Sequence, residues 1–176
     1  MSSMWTNRSE ARGNTVVIGL GNPLMGDDGL GIAALERLQR DWRVPPEVEL
    51  VDGGTWGLSL LPVIEQAERV LFIDAISIGA APGTEVVLSR AQLPRVLATK
   101  VSPHQVDLRE VLALAELRGT LPTETIAMGL QPARVEMIES LSDALRDGLD
   151  GLVTRVVRQL TEWGHACTPR TAALHA

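Results

Sequence analysis

The chain has 176 residues, 45% hydrophobic and 22% charged, which suits one globular domain with a sizeable core and excludes wholesale disorder. A net charge of −6 with scattered Lys and Arg, together with four Trp, one Phe and no Tyr, removes both the basic stripe and the stacking rings that a nucleic-acid partner requires. No apolar run reaches the roughly 18 residues of a membrane span, and Met1 to Asn14 lacks the apolar core of a signal peptide, so a cytoplasmic protein without membrane insertion is expected.

In chain order, residues 1–14 read as a flexible N-terminal segment, 15–163 as a single α/β domain and 164–176 as a flexible tail. Runs rich in β-branched and apolar residues mark strands at Thr15 to Leu20, Val48 to Asp52, Val70 to Ala75, Glu85 to Ser89 and Thr125 to Met128. Several are apolar throughout, the pattern of strands covered on both faces of a mostly parallel sheet.

Helical stripes lie between them: Leu30, Ala34 and Leu38; Leu58, Leu61 and Ile64; Leu108, Val111, Leu112 and Ala115. The longest, Leu141 to Trp163, advances by three or four residues despite Gly148 and Gly151, each costing about 1 kcal/mol relative to Ala. The expected architecture is three-layer α/β/α, with a twisted, mostly parallel sheet of about five strands and right-handed crossovers. Such folds place their ligand crevice at the carboxyl ends of the strands. Cys167 falls in the tail, so a disulfide within the chain is excluded and a nucleophilic role lacks a positioned base.

The first strand runs into Gly19-Leu20-Gly21-Asn22-Pro23-Leu24-Met25-Gly26-Asp27-Asp28-Gly29-Leu30-Gly31. A dinucleotide fingerprint needs Gly where Leu24 stands, and a phosphate loop needs a Lys that this loop lacks. Asp27 and Asp28 would also repel phosphate from the helix entrance. One of the pair suffices to cap the helix, which leaves at least one to face the crevice. Asp74 closes the apolar run Val70 to Ala75, where a carboxylate needs hydrogen bonds, a cation or a metal. In Val101-Ser102-Pro103-His104-Gln105, Ser102 as N-cap, Pro103 at N1 and Gln105 at N3 form a capping box that puts His104 in a first helical turn. The positive helix end disfavours imidazolium there and leaves a lone pair for a metal. Asp28, Asp74 and His104 together make a candidate open site of oxygen and nitrogen ligands, suited to zinc, nickel or manganese. Asp52-Gly53-Gly54-Thr55 ends the second strand beside the same crevice, either as a simple turn or as backbone that a peptide approaches closely.

These four blocks resemble, in order and approximate separation, the nickel-iron hydrogenase maturation endopeptidases, and Gly129-Leu130-Gln131-Pro132 is similar as well. The resemblance spans about residues 15–163 and implies an endopeptidase that removes a C-terminal peptide from the nickel-loaded large-subunit precursor of a hydrogenase. It implies that Asp28, Asp74 and His104 are the catalytic and metal-contacting residues, with Asp28 standing where many members carry Glu. It implies further that Gly53, Gly54 and Thr55 contact the substrate. Nickel would arrive with the precursor, and the enzyme, expected to be a monomer, would hold no permanent cofactor. Two alternatives accompany this reading. Ile18 to Pro23 is also similar to the opening of peptidyl-tRNA hydrolase, although the Thr-Arg-His-Asn continuation is missing. A non-enzymatic, nickel-dependent chaperone for the immature subunit is the other.

Overall fold

Strands without a polar face need cover on both sides, and the helical stripes of this chain supply it. The computed structural model describes residues 14–94 and 103–170, with the backbone alone for 103–107. It contains β1 (Thr15–Leu20), α1 (Leu30–Asp41), β2 (Trp42–Arg43), β3 (Val48–Gly54), α2 (Leu61–Gln66), β4 (Arg69–Ala75), β5 (Glu85–Ser89), α3 (Pro103–Leu117), β6 (Glu124–Leu130), α4 (Asp143–Glu162) and β7 (Thr168–Pro169). Five strands form the main sheet in the order β3-β1-β4-β6-β5. β1 pairs in parallel with β3 and β4, and β4 with β6, while β5 runs antiparallel to β6. β5 alternates exposed and buried residues, as an edge strand half open to solvent should.

Side-chain alternation divides the core in two. Val16, Ile18, Leu20, Val70 and Phe72 pack beneath α2 and α3, whereas Val17, Leu71, Ile73, Met128 and Leu130 pack beneath α1 and α4. Ile18, Leu71, Phe72 and Ile73 are fully buried, each contributing about 1.5–3 kcal/mol over an exposed position. The expected three layers are therefore present. The chain goes from β1 to β3 on one side and then crosses to β4 on the other, so the strand order reverses between β1 and β4. In open α/β sheets ligands bind at the carboxyl ends of the strands beside such a switch point.

Two expectations need correction. The Leu58 stripe does not form one regular helix: a 3₁₀ turn at Gly57–Leu60 precedes the short α2, whose first turn holds Pro62, and Leu58 stays exposed. The tail is not loose as far as Arg170. β7 pairs with β2, Arg170 N–H donates to the Asp41 carbonyl at 2.7 Å, and buried His165 shares a 2.8 Å hydrogen bond through Nε2 with the Thr15 hydroxyl. Cys167 is half-buried, and burial pushes its thiol above the ordinary value, which keeps it protonated near neutrality.

Candidate active site at the carboxyl edge of the sheet

Close packing explains the glycines of the first loop. A Cβ at Gly31 would run into the carbonyl oxygens of Leu20 and Ile73, so its absence lets α1 start directly on the ends of β1 and β4. Gly21, at φ 114°, turns the chain back until a Cβ there would meet the Asp28 carbonyl. The doubled-back loop lets the Asn22 amide donate to Asp28 Oδ2 at 2.9 Å. Asp28 is thereby fixed at the carboxyl end of β1 with 2% of its surface exposed.

Asp27 performs a different task. Its Oδ2 accepts from the amides of Ala133 and Arg134 at 2.8 and 3.1 Å and from the Ser142 hydroxyl at 2.9 Å, while Oδ1 accepts from the Ser142 amide at 2.6 Å. Burial alone would raise its pKa, but the Ser142, Arg134 and Ala133 amides and the Ser142 hydroxyl outweigh burial and hold the carboxyl below its ordinary value. Neither acid caps a helix through its side chain: the 3₁₀ turn Gly26–Gly29 and α1 both begin without a side-chain cap bond. The capping reading of this pair is corrected accordingly. Asp27 staples the loop after β6, and Ser142, at the N-cap of α4, gives its hydroxyl to that staple.

Asp74 is the next-to-last residue of β4, opposite Gly129 of β6, with 3% of its surface exposed. By strand alternation it shares the face of Val70 and Phe72, the one covered by α2 and α3. Gly129 is required here because a Cβ would strike the Asp74 carbonyl. α3 starts at Pro103 and ends at Leu117, shortly before β6 begins at Glu124. It therefore runs opposite to β6, and its first turn, which includes His104, lies toward the same carboxyl edge. The His104 side chain and Ser102, the expected N-cap, lie outside the described residues. Among the described residues, no three His, Cys, Asp or Glu side chains stand close enough to hold a metal ion. Asp28 and Asp74 supply two buried carboxylates on either side of the switch point, a donor type that divalent cations accept.

The three candidate substrate positions differ from one another. Gly53 is buried, and a Cβ on it would press on the side chains of Ile18 and Leu20, so its smallness serves the core. Gly54, at φ 40°, offers its carbonyl to the Gly21 amide at 2.9 Å, and Thr55 is exposed. Gln131, just beyond the end of β6, ties two loops together. Its Oε1 accepts from the amides of Ile78 and Ala80 at 2.8 and 3.2 Å. Its burial could not be read from sequence, since both partners lie about fifty residues away, but its place directly after a strand end was a visible signal.

Comparison with known proteins extends this picture. The HycI family of hydrogenase maturation proteases matches residues 32–159. The hydrogenase expression/formation protein HoxM of Cupriavidus necator is 38% identical over 161 residues, covering 90% of this chain and 80% of that protein. The hydrogenase 2 maturation protease of Escherichia coli is 32% identical over 158 residues, covering 89% of this chain and 96% of its own. Among solved structures, the hydrogenase-maturating endopeptidase HybD from E. coli superposes with a TM-score of 0.85 at 30% identity, covering 89% of this chain and 98% of that one.

Proposed function

This chain belongs to the hydrogenase maturation protease family and is an endopeptidase, and we propose that it cleaves a C-terminal peptide from the nickel-loaded large-subunit precursor of a nickel-iron hydrogenase. The observation that carries this reading is that two buried carboxylates, Asp28 in the loop after β1 and Asp74 near the end of β4, lie at the carboxyl ends of neighbouring strands. The start of α3 brings the backbone of His104 toward the same edge. The nickel is the substrate's own. Asp28, Asp74 and His104 hold it when the precursor docks, and the grip sets the scissile bond in the crevice. A precursor without metal offers nothing to hold, so cleavage waits for metal insertion. Family membership sets aside the peptidyl-tRNA hydrolase alternative, and the endopeptidase assignment sets aside a purely binding module.

Amide-for-acid substitutions keep the shape of each side chain and remove the charge. Asp28→Asn, Asp74→Asn and His104→Ala should each stop processing of nickel-loaded precursor while circular dichroism shows a folded protein. Normal processing by any two of them defeats the assignment.

A further inference from the structure

Single exposed apolar side chains are ordinary on any protein surface, but their concentration at one place is not. Among the described residues, eight large hydrophobic side chains are exposed, and six of them, Leu24, Trp56, Leu58, Ile78, Val135 and Met137, lie in loops that leave the carboxyl ends of β1, β3, β4 and β6. The other two are Val87 on the edge strand β5 and Leu117 at the far end of α3. Exposure in the six runs from 48% at Val135 to 89% at Met137.

The four loops are bound to one another. The β1 loop joins the β3 loop through the Gly21 amide and Gly54 carbonyl at 2.9 Å, and joins the β6 loop through the Gly26 amide and Ile138 carbonyl at 2.7 Å. Asp27 adds its staple to the second junction. The β6 loop joins the β4 loop through Gln131 and the Ile78 amide at 2.8 Å. The exposed groups therefore sit on one laced rim, held before any partner arrives, so little ordering entropy opposes docking.

We propose that this rim is the docking surface for the body of the precursor protein, seating an apolar surface of that protein around the crevice; the inference rests on the function proposed above. The occupant follows from continuity. A folded protein that delivers its C-terminal segment to Asp28 and Asp74 must rest on the loops around them, and those loops expose six large apolar side chains. Aromatic residues and Met are enriched at protein interfaces, and Trp is among the residues that most often dominate their energy. The metal grip licenses cleavage, and the rim provides affinity.

The test uses full-length Trp56→Ser and Val135→Ser/Met137→Ser variants, with Leu117→Ser as a control away from the edge. Titration with purified nickel-loaded precursor reads Kd directly, and processing kinetics read KM and kcat separately. The rim variants are expected to raise Kd and KM about tenfold or more, to leave kcat at saturation within about twofold, and to keep the wild-type Tm. Leu117→Ser should match wild type in all four. Unchanged Kd in both rim variants, or an equal rise in Leu117→Ser, overturns the docking surface while normal wild-type cleavage leaves the proposed function standing. Sedimentation that reveals wild-type dimers dissolved by the rim substitutions would assign the surface to a second copy of this chain and overturn the proposal in the same way. Absence of cleavage by wild type defeats the proposed function instead, and the titration still reads the rim.

Discussion

Replacing Asp27 with Asn removes one charge and almost no volume, which makes it a clean probe of the staple. Four donors converge on this carboxylate: the amides of Ala133, Arg134 and Ser142 and the Ser142 hydroxyl. A carboxamide has one acceptor oxygen, best placed where Oδ2 now accepts three bonds. Its NH₂ then confronts the Ser142 amide, which sits 2.6 Å from Oδ1. The lost bond to a charged group is worth about 1.5–3 kcal/mol, and the other three fall from charge-assisted to neutral strength. A total near 3 kcal/mol corresponds to a Tm lower by about 6–12 °C for a chain of this size. The loss should also depend on pH. The folded carboxyl titrates below its ordinary value of 3.8, so its stabilisation is complete above that value and disappears as pH falls through the lower folded pKa. Thermal unfolding at pH 7, and urea unfolding of wild type and variant from pH 7 to pH 3, check the two points. A Tm change under about 2 °C at pH 7, or a stability gap that does not narrow on acidification, would refute the staple.

Gly21→Ala should lower stability by at least about 2 kcal/mol and abolish processing, because it combines a φ of 114° with a clash against the Asp28 carbonyl; thermal unfolding and the cleavage assay check it together. His165→Ala should cost about 1–3 kcal/mol in urea unfolding, since it removes a buried ring bonded to Thr15, and hydrogen exchange at Trp42 and Arg43 should quicken as β7 detaches. Cys167 should react with iodoacetamide at pH 7.5 more slowly than an unfolded control, because burial raises its pKa; equal rates would show an open thiol.

The fold was legible because its signals are local. Val70 to Ala75 is short, partly β-branched and apolar at nearly every position, the pattern of a strand covered on both faces, and Leu145, Leu149, Leu152, Val156 and Leu160 repeat at helical spacing. The positions of Asp28 and Asp74 at strand ends followed from the same reading. Asp27 resisted it, because its partners Ala133 and Ser142 lie more than a hundred residues away and nothing nearby announces a staple. The docked tail was hidden for the same reason: β7 has two residues, too few for a period, and His165 meets Thr15 across 150 positions. Gly53 shows a third limit. A glycine that permits core packing and one that admits a ligand look alike in sequence, and only the nearness of Ile18 and Leu20 separates them.

In the function proposed above, metal carried by the substrate licenses cleavage at the sheet edge that carries Asp28 and Asp74. Intact-mass measurement of a hydrogenase large-subunit precursor, incubated with the purified protein after loading with nickel or after chelation, addresses it most directly. Loss of a single C-terminal peptide from the loaded precursor and an unchanged mass for the stripped one are expected. Equal cleavage of both, or of neither, would contradict it.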